Sequence, residues 1–127
     1  MRFTELNHVA LHVADVPASC RFYETVLQLE SLPRPNFDFP GAWFRLGEVQ
    51  ELHLIGRADP GGRASGSRSN HYALMVDDID EWEEHLKSHS VDYEPRRTRP
   101  DGAYQIFLLD PDGHAIELCT PPGVASA

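Results

Sequence analysis

Residues 7–16 read NHVALHVADV and residues 70–79 read NHYALMVDDI. Six of these ten positions are identical at an offset of 63 residues, close to half of the 127-residue chain. A second echo sets Glu51-Leu52 against Glu117-Leu118, 66 residues apart. Three extra residues between the anchors are what one longer loop produces. Two copies are too few for a solenoid, which stacks at least three units. The chain reads as a duplicated module, each copy supplying half of one fold.

Working outward from the repeat, Leu6 to Val13 alternates Leu6, His8, Ala10 and His12 against Asn7, Val9, Leu11 and Val13, the periodicity of a strand. Asp15 before Val16-Pro17 predicts an N-cap with proline in the first helical turn. Phe22, Tyr23, Val26 and Leu27 form the apolar stripe of a helix ending near Gln28. Short strands fit Leu29 to Leu32, Ala42 to Leu46 and Val49 to Ile55. The second copy repeats the order: a strand from His71 to Val76, a helix capped by Asp78 or Asp80 with Ile79, Trp82 and Leu86 inward, then strands over Asp92 to Arg96, Ala103 to Leu109 and His114 to Cys119. Asp110-Pro111-Asp112-Gly113 is a hairpin turn with glycine available for positive φ. The expected fold class is α+β, two βαβββ modules whose curved mixed sheets form a cup. Module one spans about 1–56, a Gly/Ser/Arg-rich linker about 57–69, module two about 70–120 and a small-residue tail 121–127.

Composition bounds the function. Eleven Lys and Arg against twenty Asp and Glu give a net charge of −9, which opposes a phosphate backbone, so nucleic acid is not an expected partner. No apolar run approaches the ~20 residues of a membrane span, and the N-terminus lacks the pattern of a secretory signal. A cytoplasmic protein without a membrane partner is expected. Cys20 and Cys119 build no disulfide framework and fit no zinc module.

Seven histidines make their placement informative. The repeat puts His8 and His71 at one place in each first strand, and Glu51 and Glu117 at one place in each last strand. A lone strand histidine is more often packed or solvent-facing than a ligand, and a lone strand glutamate more often faces water. Four such residues recurring in register point instead to a divalent metal ion, because imidazole and carboxylate together suit zinc, nickel, iron, manganese or cobalt. A ligand carboxylate, Glu117 or Glu51, can double as a catalytic base. His53 shares the face of Glu51 and is either the ligand in its place or an acid/base group beside it. Trp43, within the cluster Phe37, Phe39, Trp43 and Phe44, and the pair Gln105 and Phe107, sharing the face of Glu117, are expected to line a substrate pocket. His12 sits ~13 Å along the strand from His8, too far to co-ligate. His85 and His89 lie on a solvated helix, and His114 is expected to be exposed. Arg96, Arg97 and Arg99 either attract a substrate anion or are simply solvated.

The stretches LNHVALHVADVPASCRFYETVL, ELHLI, NHYALMVDDID and FLLDPDGHAIEL, which cover most of the chain, resemble the vicinal oxygen chelate superfamily. That group includes glyoxalase I, bleomycin-resistance proteins, extradiol dioxygenases, methylmalonyl-CoA epimerase and fosfomycin-resistance thiol transferases. The resemblance implies His8, His71 and Glu117 as the shared two-His-one-Glu set, with Glu51 at the additional glutamate of glyoxalase I. It implies a glyoxalase I-type lyase or isomerase acting on a small carbonyl or vicinal-oxygen substrate through one divalent metal, in a homodimer. The alternatives are a small dioxygenase with iron on His8, His71 and Glu117, and a ligand-sequestering protein of bleomycin-resistance type. Fosfomycin enzymes usually carry cysteine or a small residue where His53 stands, and basic residues where this chain has Thr120-Pro121-Pro122-Gly123.

Overall fold

A computed structural model of the chain describes residues 1–56 and 70–123. The expected linker, 57–69, and the last four residues of the tail lie outside the described residues. The chain divides into two compact units, Met1–Arg63 and Ala64–Ala127. No helix among the described residues is long and apolar enough to cross a membrane.

The first unit runs β1 (His8–Val13), α1 (Val16–Thr25), β2 (Ser31–Leu32), β3 (Gly41–Arg45) and β4 (Glu51–Gly56). Its four strands form one sheet in the order β1-β4-β3-β2, with β1 parallel to β4 and the other pairs antiparallel. The helix starts where the sequence says it must: the Asp15 carboxylate accepts from the Ala18 N–H at 3.0 Å, and a proline sits in the first turn. This satisfies one of the donors that every helix start leaves unpaired. The helix stops at Thr25, three residues short of Gln28. Gln28 itself takes φ 56°, a left-handed conformation that cannot continue a helix. Alternation then decides the faces. Leu52 and Leu54 of β4 and Phe44 of β3 are buried with Tyr23 of α1 and with Val26 and Leu27 just beyond its end, and the Tyr23 and Phe44 rings lie 6.2 Å apart. Glu51 and His53 therefore point to the face of the sheet away from the helix.

The second unit repeats this as β5 (His71–Met75), α2 (Ile79–Ser88), β6 (Arg97–Thr98), β7 (Tyr104–Leu109) and β8 (Ala115–Cys119), in sheet order β5-β8-β7-β6. Asp78, not Asp80, caps α2, accepting from the Glu81 N–H at 3.1 Å. The core is Ile79 and Leu86 against Ile106, Leu108, Ile116 and Leu118. The Asp110–Gly113 turn closes as expected, with Gly113 at φ 86°. Its anchor is the buried Asp110 carboxylate, which accepts from the N–H groups of Asp112 and His114 at 2.9 and 2.8 Å. His114 is half-buried rather than exposed, because that turn holds its backbone at the start of β8. The strand expected at Asp92 to Arg96 moves to Arg97–Thr98, leaving only a lone bridge from Tyr93 to Leu108. Pro95 explains the shift: it has no N–H for a ladder and restricts the residue before it.

One difference concerns the repeat itself. In β1 and β4, His8 stands beside Glu51 and Ala10 beside His53. In β5 and β8, His71 stands beside Ala115 and Ala73 beside Glu117. Across the neighbouring strands, Trp43 opposes His53 and Phe107 opposes Glu117. Hydrogen-bond register thus pairs Glu117 with His53, and Glu51 with Ala115, where sequence identity had set Glu51 against Glu117.

Candidate metal centre

In the first unit, His8, Glu51, His53 and Trp43 occupy the sheet face away from α1. The His53 and Trp43 rings stack at 4.0 Å and 5°, and the His53 and His8 rings stack at 4.3 Å. His53 Nε2 lies 2.9 Å from Glu51 Oε1. A carboxylate can only accept, so Nε2 carries the proton and Nδ1 keeps its lone pair. His8 Nδ1 lies 2.8 Å from Asn7 Oδ1; by the same rule Nδ1–H donates and Nε2 keeps its lone pair. Asn7 did not enter the sequence reading as a site residue, although its recurrence with histidine in both copies, as Asn7-His8 and Asn70-His71, was there to be used.

In the second unit, His71 Nε2 lies 3.0 Å from Glu117 Oε1, and the Gln105 amide donates to Glu117 Oε2 at 3.1 Å. The His71 ring meets Phe107 edge-on at 5.3 Å. Glu117 is only 4% exposed, and these polar contacts offset the cost of holding a carboxylate there. Cys119, two residues on, stays a thiol: burial pushes its ionisation up, and the Glu117 charge adds to this. A cavity of about 660 Å³ is lined by Tyr93, Glu94, Phe107, Leu109 and Ala115, among others.

The donor chemistry fits a divalent cation. His71 Nε2 and Glu117 Oε1 stand within hydrogen-bond distance of each other, and imidazole and carboxylate are both ligands that zinc and its neighbours accept. Among the described residues no three His, Cys, Asp or Glu side chains gather as they would round one ion. Other expected candidates are engaged elsewhere. Arg96 pairs with Asp80 and Glu83, Arg97 with Glu94 and Arg99 with Asp101, so carboxylates of the chain already occupy these three cations. Phe44 belongs to the core, while Phe37 and Phe39 are partly exposed at 43% and 38%, stack at 5.2 Å and carry the Arg34 guanidinium over both rings.

The comparisons with known proteins agree with this architecture. Glyoxylase I 4 of Arabidopsis thaliana is 30% identical over 126 residues, covering 94% of this chain and 72% of the relative. Metallothiol transferase FosB of Staphylococcus saprophyticus is 30% identical over 122 residues, covering 91% and 76%. Among solved structures, a glyoxylase/bleomycin resistance protein/dioxygenase domain from Frankia superposes with a TM-score of 0.77 at 25% identity, covering 94% of this chain and 98% of that one. The model of the Glyoxalase/Bleomycin resistance protein/Dioxygenase superfamily matches residues 5–118, nearly the whole chain, and the protein belongs to that superfamily.

Proposed function

We propose that the protein is a metal-dependent lyase or isomerase of glyoxalase I type, acting on a small carbonyl or vicinal-oxygen compound. His71 and Glu117 of the second unit, and His8, Glu51 and His53 of the first, are the side chains that would donate to a divalent ion. The observation that carries this reading is the convergence of His71 Nε2 and Glu117 Oε1 at 3.0 Å, matched in the first unit by a second histidine-rich cluster on the equivalent face. A bound divalent cation supplies Lewis acidity to the vicinal oxygens of the substrate. The chain's residues do the rest. Gln105 and His71 hold the two oxygens of Glu117, the carboxylate that would take up and return the proton. Trp43 and Phe107 flank the donors on their two sheets and exclude water from the apolar side of the substrate. The similarity to an Arabidopsis protein named for glyoxylase I supports this reading.

The test combines elemental analysis of purified protein with exchange of the α-proton of a 2-oxo aldehyde thiohemiacetal in deuterated water. Stoichiometric metal with metal-dependent exchange supports the proposal. Oxygen consumption on a catechol instead assigns the ring-cleaving dioxygenase chemistry to His8, His71 and Glu117. Tight binding of a small apolar ligand with no metal and no turnover replaces it with a sequestering protein.

A further inference from the structure

We infer that Arg34 and the aromatic side chains around it form a binding site for a planar aromatic carboxylate. The site lies within the first unit and uses none of the proposed metal donors, so it stands whether or not an ion binds.

Three observations carry it. The first is the state of the cation. Arg45, Arg96, Arg97 and Arg99 each pair with a carboxylate, whereas among the described residues none pairs with Arg34. Its Nη2 donates to the Phe39 carbonyl at 2.9 Å, and its Nε–H is buried with no partner. A guanidinium has five N–H donors in one plane, so most of this fork is unspent. The chain carries twenty Asp and Glu against eleven Lys and Arg. A guanidinium held in place without any of those carboxylates is suited to an anion from outside.

The second is how the cation is held. Its central carbon lies 4.8 Å from the Phe37 ring centroid and 4.9 Å from that of Phe39, within reach of the negative face of an aromatic ring. Gly41 leaves room for it, because a Cβ there would collide with the Leu54 carbonyl and stand 3.0 Å from Arg34 Nη2. The rings and the Phe39 carbonyl thus fix the fork before a ligand arrives, which lowers the entropy lost on binding. The third is exposure. Phe37 and Phe39 stay partly open to water although they stack on each other, and Phe37 meets Trp43 at 6.1 Å. Large rings left exposed beside a cation mark a recognition surface.

Together these select the ligand. The planar fork matches a carboxylate in two parallel hydrogen bonds, and one guanidinium balances one negative charge. Arg45, on the neighbouring strand, is spent on Glu30, so a phosphate dianion would keep a charge uncompensated. The rings favour a flat aromatic body, which packs offset or edge-on against them.

The experiment is calorimetric titration of full-length protein, stripped of metal by a chelator, with 2-naphthoate, 2-naphthalenemethanol and cyclohexanecarboxylate. Naphthoate should bind at least ~10-fold more tightly than either of the others, each of which lacks one of the two features, since a hydrogen bond to a charged group carries about that much. Arg34→Met should weaken naphthoate ~10–100-fold and leave the neutral alcohol unchanged, which also shows that the variant is folded. Arg34→Lys should restore only part of the loss, because an ammonium has no planar fork. Phe37→Leu should weaken both naphthyl ligands alike. Equal binding of all three probes, no binding of any, or an Arg34→Met loss that is the same for the acid and the alcohol overturns the site. Binding of naphthoate only after zinc is added also overturns it, and leaves the metal-dependent reading standing.

Discussion

Glu117 is a buried carboxylate held by one amide and one imidazole, and its two proposed duties separate in a single variant. Glu117→Gln replaces a charged ligand with a neutral amide, so metal affinity falls. It also removes the proton acceptor, because a glutamine side chain does not take up a proton at neutral pH. Restoring metal by excess should rescue occupancy but not proton exchange, with a loss of ~10²–10⁴-fold, the usual scale of general-base assistance. Exchange at the wild-type rate in the fully loaded variant removes Glu117 as the base. Glu51→Gln under the same loading should retain most of the rate. A quieter prediction concerns Asp101, whose carboxyl is held down to about 2 by the Arg99 guanidinium, with help from the Ala103 N–H. Its side-chain carbon should titrate near that value by NMR, and Arg99→Ala should return it toward the ordinary carboxylate range. A depressed carboxyl stabilises the fold above its unfolded value and loses that contribution as pH falls through about 2, so this turn weakens only in strong acid. At this scale the equivalence of His8 and His71 was legible because identical neighbours surround them in the two copies. The first-unit counterpart of Glu117 was not. Identity of two letters, Glu-Leu, aligned the copies one way, whereas the ladder of backbone hydrogen bonds aligns them two residues differently, and only the ladder fixes which side chains share a level on the sheet.

Among the elements, the helix starts carry the clearest local chemistry. Asp78 and Asp15 each satisfy one backbone donor of their helix, and removing such a cap typically costs about 1 kcal/mol. Asp78→Ala should lower the unfolding free energy measured in urea by that much, moving the midpoint without changing the slope, while Asp78→Asn, which keeps an accepting oxygen, should lose only a fraction of it. Equal losses in the two variants would mean that charge beside the helix dipole, and not the capping bond, supplies the stability. The caps, the apolar stripes and the Asp110–Gly113 turn could be read in advance because each depends on a few neighbouring residues. Strand limits were harder. Val49 and Gln50, expected to be strand, precede β4 after the turn at Gly47, which takes φ 118°. The stretch before β7 was displaced by Pro95. Propensity marks where an extended run suits the side chains, but a strand exists only where a partner completes its hydrogen bonds, and partners lie far away in sequence.

For the whole molecule, the repeat has a thermodynamic consequence. Each sheet taken by itself ends in two edge strands, β1 and β2 in one and β5 and β6 in the other, and such edges invite pairing; we expect a homodimer, and sedimentation showing a monomer across micromolar concentrations overturns that. A divalent ion that binds the folded chain and not the unfolded one stabilises the fold by about 2.7 kcal/mol when free metal stands a hundredfold above its dissociation constant. Metal should raise the unfolding midpoint of the wild-type protein. Glu117→Gln in the second unit should remove most of that rise, and His8→Ala reads whether the donors of the first unit contribute to it. If His8→Ala keeps the full metal-dependent rise while Glu117→Gln abolishes it, the second unit binds the ion alone through His71 and Glu117, and the duplicated histidines of the first unit have taken on another task.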